Sequence, residues 1–383
     1  MRTRVLVLAG CISVVAAVVA TAPTSLRATA AVTVLTLPNG GIQPQAVVDA
    51  TGTIHVVYFS GDAGGGDLYY IKLVGANRKP TSPVRVNSVD GSALATGSVR
   101  GAQLAVGRNG RVHVAWHGSK PLAAKRVPMW YTRANSGGTA FEPQRSVSGN
   151  SEDLDGGTVA ADSSSHVAVA WHASGARPGE GNRTVYLSRS SDDGATFAPP
   201  SAATDAPVGA CGCCGMRALF DRSGALHVLY RAATDARHRD TTWLMIDSRG
   251  AHAPVRVHPW DLDACPMTTY ALTETAGGLT AAWETAQQIY SADFDPAAGK
   301  VSTAIAVPGQ GSRKHPSVAV NALGDRFLAW TEGTAWKRGG TMAWRLTDRT
   351  GNEKAIERNA GEVPAWGLVS AVAMPDNSFV VFR

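Results

Sequence analysis

The stretch Leu104-Ala105-Val106-Gly107-Arg108-Asn109-Gly110-Arg111-Val112-His113-Val114-Ala115-Trp116 reads as strand, tight turn, strand. Apolar residues alternate on both sides of Asn109-Gly110, and that dipeptide supplies the positive φ angles a two-residue hairpin turn requires. The same phrase recurs along the chain. Aligned on the closing aromatic, its copies end at Tyr58, Trp116, Trp171, Tyr230, Trp283, Trp330 and Phe382, spaced by 58, 55, 59, 53, 47 and 52 residues. Six positions before the anchor stand Gly52, Gly110, Gly224, Gly277 and Gly324, and nine before it stand Asp49, Asp162, Asp221, Glu274 and Asn321.

A third strand follows most anchors, as in Leu68-Tyr69-Tyr70, Met129-Trp130-Tyr131 and Trp243-Leu244-Met245. A weaker fourth follows, as in Pro83-Val84-Arg85-Val86 and Pro254-Val255-Arg256-Val257. A lone four-stranded sheet cannot bury both of its faces, so units of this period must pack on one another as propeller blades. The expected fold is all-β, a seven-bladed propeller of four-stranded blades, with six blades as the alternative. Leu368 to Phe382 carries only two strands, and Val32 to Leu37 is a spare strand placed to finish that last blade. The histidines three before the anchor (His55, His113, His227) read as packed strand residues rather than ligands.

The 383-residue chain is 44% apolar and 17% charged, with 41 glycines and 20 prolines, which suits many turns between apolar strands. Arg2 and Arg4 precede an apolar run from Val5 to Ala22, and Ala28-Thr29-Ala30 offers a cleavage site, so residues 1–30 read as a signal peptide and 31–383 as a single propeller domain. The expected location is secreted or periplasmic, with no transmembrane segment in the mature chain. Leu8-Ala9-Gly10-Cys11 opens the alternative of a lipid anchor on Cys11. Without the leader, 33 basic face 30 acidic residues, a balance that gives no reason to expect nucleic acid. Four cysteines remain, Cys211, Cys213, Cys214 and Cys265, and export makes disulfides among them one expectation.

Ser190-Ser191-Asp192-Asp193-Gly194-Ala195-Thr196-Phe197 follows a third strand and fits S-x-D-x-G-x-T-F/W. It resembles the Asp-box of the sialidase (BNR-repeat) superfamily, and Ala134 to Phe141 resembles a degenerate copy. The resemblance implies a sialidase-like propeller in which this motif is structural and lies opposite the active face. Cys211-Gly212-Cys213-Cys214, Arg239-Asp240 and Cys265-Pro266 are similar to an uncharacterised branch of secreted bacterial propellers of this kind. Sialidases carry an Arg-Ile-Pro segment whose arginine grips the substrate carboxylate, and this sequence has none.

In a closed ring every loop leading into an innermost strand lies on one face, around the channel. Residues 15 to 18 before the anchors should therefore converge: Gln43, Arg100, Asp155, Cys213, Cys214, Cys265, His315 and Trp366. Loops after the anchors add Arg183, Arg231, Arg239, Asp240, Glu284 and Trp336, among others. The cysteines read either as two disulfides or, with Met216, Met267 or His315 nearby, as a soft-metal site for copper or zinc formed by Cys211, Cys213, Cys214, Cys265 and His315. Arg183, Arg231, Arg239 and Trp336 are candidate ligand-binding residues, and Asp155, Asp240 and Glu284 candidate acids or bases for glycosidic cleavage. Salt bridges within loops are the plain alternative for the charged pairs. Three functions follow: an exported propeller binding a ligand or metal at its channel mouth, with a glycan or another exported protein as partner; a sialidase-like glycan hydrolase; or a thiol- and metal-dependent redox protein.

Overall fold

The computed structural model describes residues 31–383 except 76, 98–99, 124–125, 176, 178, 204–208 and 236. The leader and Cys11 lie outside the described residues. The chain forms seven antiparallel-built sheets arranged as the blades of a propeller. Innermost strands run over Ile42–Val48, Gln103–Val106, Asp155–Ala161, Arg217–Phe220, Tyr270–Thr275, Arg313–Val320 and Ser370–Ala373. Second strands run over Ile54–Ser60, Val112–His117, Val167–Ala173, Leu226–Arg231, Gly278–Thr285, Arg326–Glu332 and Phe379–Phe382. Blades are numbered 1 to 7 in that order.

The repeat dictates this arrangement through burial. Each anchor aromatic sits in a second strand, and Trp116, Trp171, Trp283 and Trp330 are no more than 1% exposed. Apolar side chains of each blade meet those of the next, and the seventh of these shared cores joins Val372, Val380 and Phe382 of blade 7 to Ile54, Val56 and Tyr58 of blade 1. Both faces of every sheet are thus covered without a second layer. Hydroxyls on innermost strands reinforce the contacts: Thr158 Oγ1 accepts from Ala218 N (3.0 Å), Ser317 Oγ from Ala371 N (2.8 Å) and Ser370 Oγ from Ala46 N (2.9 Å).

Blade 7 is the exception in build. Val32–Leu35 is its third strand and pairs parallel to Phe379–Phe382, where other blades have an antiparallel third strand. The chain must then run directly into the innermost strand of blade 1, so this segment has to point toward the face where innermost strands begin. Only the parallel direction allows that.

The turns are as local chemistry demands. Asn109 and Gly110 both take left-handed angles (φ 55 and 72). His55 bridges Tyr70 Oη (2.6 Å) and Asp49 (3.0 Å), and His227 bonds Asp221 (2.9 Å) and accepts from Trp243 Nε1 (3.2 Å), so these histidines are packed, hydrogen-bonded strand residues. In the Ser190–Phe197 turn, Asp192 Oδ1 accepts from Ser190 Oγ and Thr196 N, while Phe197 lies edge-on to Tyr131 of blade 2 at 4.7 Å.

A second irregularity recurs where innermost strands begin. Gln43 (φ 55), Met267 (φ 49), His315 (φ 51) and Trp366 (φ 65) are left-handed, and register shifts interrupt pairing at Ile42/Gln45, Asp155/Thr158 and Lys314/Ser317. Bulges of this kind bend the strand and re-aim side chains at the rim of the ring.

Candidate functional site

The loop 211–216 leads into the innermost strand of blade 4, and Gly215 and Met216 already line the channel. Backbone bonds fix its course: Cys211 N donates to Arg231 O (2.9 Å), Cys214 N to Cys211 O (3.3 Å) and Gly215 N to Thr268 O (3.0 Å). Glu180 clamps it from blade 3, accepting from Gly212 N (2.7 Å) and from Arg239 Nη1 (2.5 Å). This tight course folds three sulfurs together. Cys211, Cys213 and Cys214 present Sγ atoms all within 4.8 Å of one another, with Cys211 and Cys213 at 3.3 Å, and such a group could hold a metal ion. All four described cysteines are free thiols. Cys265, which is exposed, and His315 do not belong to the three-sulfur group, so the five ligands expected from the sequence are not brought together as one set.

The electrostatics favour one negative charge in the cluster. Cys214 is held well below the ordinary thiol range: burial opposes ionisation, but hydrogen bonds from Cys211 and Cys213, the Arg231 charge and the backbone at Thr268 outweigh it. Cys213 is pushed up by its bonds with Cys211 and Cys214 and by burial. Cys211 rises as well, since its bond with Cys214 and burial overcome the opposing effect of Cys213.

Arg231 supplies the matching cation. It is 1% exposed, donates to the carbonyls of Arg239 (2.7 Å) and Glu284 (2.6 Å), and lies over the rings of Trp260 (4.8 Å) and Tyr270 (5.6 Å). Among the described residues no carboxylate comes within ion-pair distance of its guanidinium, and its Nε is an orphaned buried donor. A buried cation without a carboxylate gains most from an anionic sulfur cluster beside it.

The other candidates are spread around the mouth. Asp155 accepts two bonds from Arg100 (2.6 and 2.9 Å) and is lowered by them against the effect of burial. Asp240 holds Arg256 (2.6 Å) and accepts from Trp260 N (2.9 Å). Glu284 accepts from Gln287 N (2.6 Å), its Oε2 is orphaned, and burial raises its carboxyl. Among the described residues no hydrogen bond joins these three carboxylates to one another. Arg183 donates to Asp153 O (2.6 Å) beside His172 and lies against Gly212, and Arg239 donates to Glu180, which also holds Gly212 N, so both arginines flank the cysteine loop. Trp336 is 53% exposed and meets Trp366 edge-on at 4.5 Å. Sequence reasoning passed over Trp260 and Tyr270, the aromatic walls of Arg231, because nothing in their spacing marks them as partners of one cation.

No family model matches the chain, and no curated protein matches it. Solved structures do. A fungal alcohol oxidase of the AA5 family in complex with copper superposes with a TM-score of 0.51 at 13% identity, covering 88% of this chain and 68% of that one. A Penicillium chrysogenum α-L-arabinanase complexed with arabinobiose gives 0.50 at 11% identity, covering 81% and 94%. The leech intramolecular trans-sialidase gives 0.50 at 8% identity, covering 90% and 86%. Sialidases and other propeller enzymes thus share this architecture. At these identities the likeness concerns the fold alone.

Proposed function

We propose that this protein is an exported propeller that binds one soft metal ion, copper(I) in preference to zinc, through Cys211, Cys213 and Cys214 at its channel mouth. The supporting observation is the three-sulfur group itself, within 4.8 Å and backed by the buried Arg231. Three thiolates in a compact group suit the low coordination number of copper(I), whereas structural zinc takes four ligands. Three thiolates and copper(I) leave a net charge of about −2, which the buried Arg231 would offset in part.

The test is competition titration of the reduced protein with copper(I) and with zinc. One copper(I) per chain is expected, with Cys214→Ser weakening it by more than about 100-fold, the loss that removal of an outer-sphere partner alone can reach. Cys265→Ser should leave it unchanged. Absence of copper(I) uptake, or equal uptake by Cys214→Ser, would overturn the reading.

A second reading rests on Trp336, whose half-exposed indole beside Trp366 offers a flat apolar face for a sugar ring. In that case the protein is a glycan-active propeller with Asp155, Asp240 or Glu284 as its acid or base. Asp240→Asn should abolish any turnover of sialosides or other glycosides, and Trp336→Ala should weaken glycan binding. Turnover that survives in Asp240→Asn removes that residue from the chemistry.

A further inference from the structure

Thirteen positions before the anchor aromatic, blades 1 to 6 place Gln45, Gln103, Thr158, Arg217, Tyr270 and Ser317 on the innermost strand. Thr158 and Ser317 spend their hydroxyls on the neighbouring blade. Arg217 does something else. From blade 4 it reaches across the channel, and its Nη1 donates both to Gln45 Oε1 of blade 1 (2.7 Å) and to Gln103 Oε1 of blade 2 (2.6 Å). These are its hydrogen bonds among the described residues, and no carboxylate there lies within ion-pair distance.

The guanidinium therefore uses one nitrogen twice and keeps its other edge for the channel. That channel is lined by the innermost strands of all seven blades and has a volume of about 350 Å³. Desolvation lowers Arg217 to about 10, as expected of a cation whose nearest partners are neutral amides. The Nε and Nη2 donors of a guanidinium are parallel and spaced to meet two oxygens of one oxyanion. Gln45 and Gln103 give their oxygens to Arg217, so their amide N–H groups are further donors at the same level of the channel.

We propose that the central channel is a binding site for a small oxyanion, a carboxylate or an inorganic sulfate or phosphate, seated on the free edge of Arg217 between Gln45 and Gln103. It is separate from the cysteine cluster and does not depend on metal binding there.

The experiment is calorimetric titration and thermal melting of the full protein with sodium sulfate, sodium phosphate and sodium acetate, against sodium chloride at equal ionic strength. Saturable binding and a rise in melting temperature are expected for at least one of the three, and their ranking tells inorganic from carboxylate ligands. Arg217→Gln should lose the response by tenfold or more in affinity while keeping its circular dichroism. Gln103→Glu keeps the shape but gives Arg217 a carboxylate of its own, and should also lose the response. No saturable response in the native protein, or an undiminished one in a folded Arg217→Gln, would overturn the proposal. If Arg217→Gln does not fold, an undiminished response in Gln103→Glu does so.

Discussion

Gly194 is a residue whose replacement has a geometrically fixed outcome. Its φ is +73, and a Cβ built there would stand 1.8 Å from the Tyr131 hydroxyl of the neighbouring blade. Gly194→Ala combines a left-handed strain with overpacking, and should cost about 2–4 kcal/mol in urea unfolding. A loss under half that would mean that Tyr131 moves aside freely. His113 makes a second case. It bonds Tyr131 Oη at 2.7 Å, and burial, reinforced by Arg111 and Arg133, lowers it to about 3. A buried neutral imidazole gives stability that is complete above its unfolded value near 6.5 and is lost as pH falls toward 3. The native protein should lose up to about 1.4 kcal/mol per pH unit through this group within that window, and His113→Gln should show a correspondingly shallower slope of stability against pH. Equal slopes would show that His113 does not titrate between the two states.

At the scale of the element, the strand that deserves a test is Val32–Leu35. Its ladder to the last strand includes Phe379 N to Ala31 O (2.8 Å), Arg383 N to Leu35 O (3.0 Å) and Leu37 N to Arg383 O (3.4 Å). A chain starting at Leu37 loses the first two of these bonds and the pairing of Val32–Leu35, and should be destabilised by about 2–4 kcal/mol at about 1 kcal/mol per hydrogen bond. Added peptide spanning 31–36 should restore the melting temperature by pairing with the exposed edge. A truncated chain as stable as the whole would show that the ring does not need this strand. Elements of this kind were legible in the sequence as far as their existence goes. The aromatic-anchored hairpins announced themselves because each obeys a period-two pattern, five of the seven with a glycine in the turn six positions before the anchor. The parallel direction of Val32–Leu35 was not legible, since alternation tells which residues pair and says nothing of which way the partner runs.

For the whole molecule, the repeat carried the architecture and left the site half-drawn. Seven anchors fixed the blades, and a closed ring fixed which loops share the channel mouth. It did not fix the final ångströms. Cys211, Cys213 and Cys214 meet because one loop turns back on itself under the hold of Glu180 and Arg231, whereas Cys265 belongs to another loop and stays at the surface. Arg217 was hidden for the opposite reason: read along one blade it is an unremarkable strand residue, and only across the ring does it meet Gln45 and Gln103.

The parallel closure also has a consequence in time. Val32 pairs with Phe379, 347 positions later, so this segment must wait until the rest of the ring has been made. At roughly 5–20 residues per second, synthesis leaves it without a partner for on the order of tens of seconds. Sealing therefore waits on the last blade of the ring, and through that interval the nascent molecule offers a bare margin that chaperones or stray polypeptides can reach first.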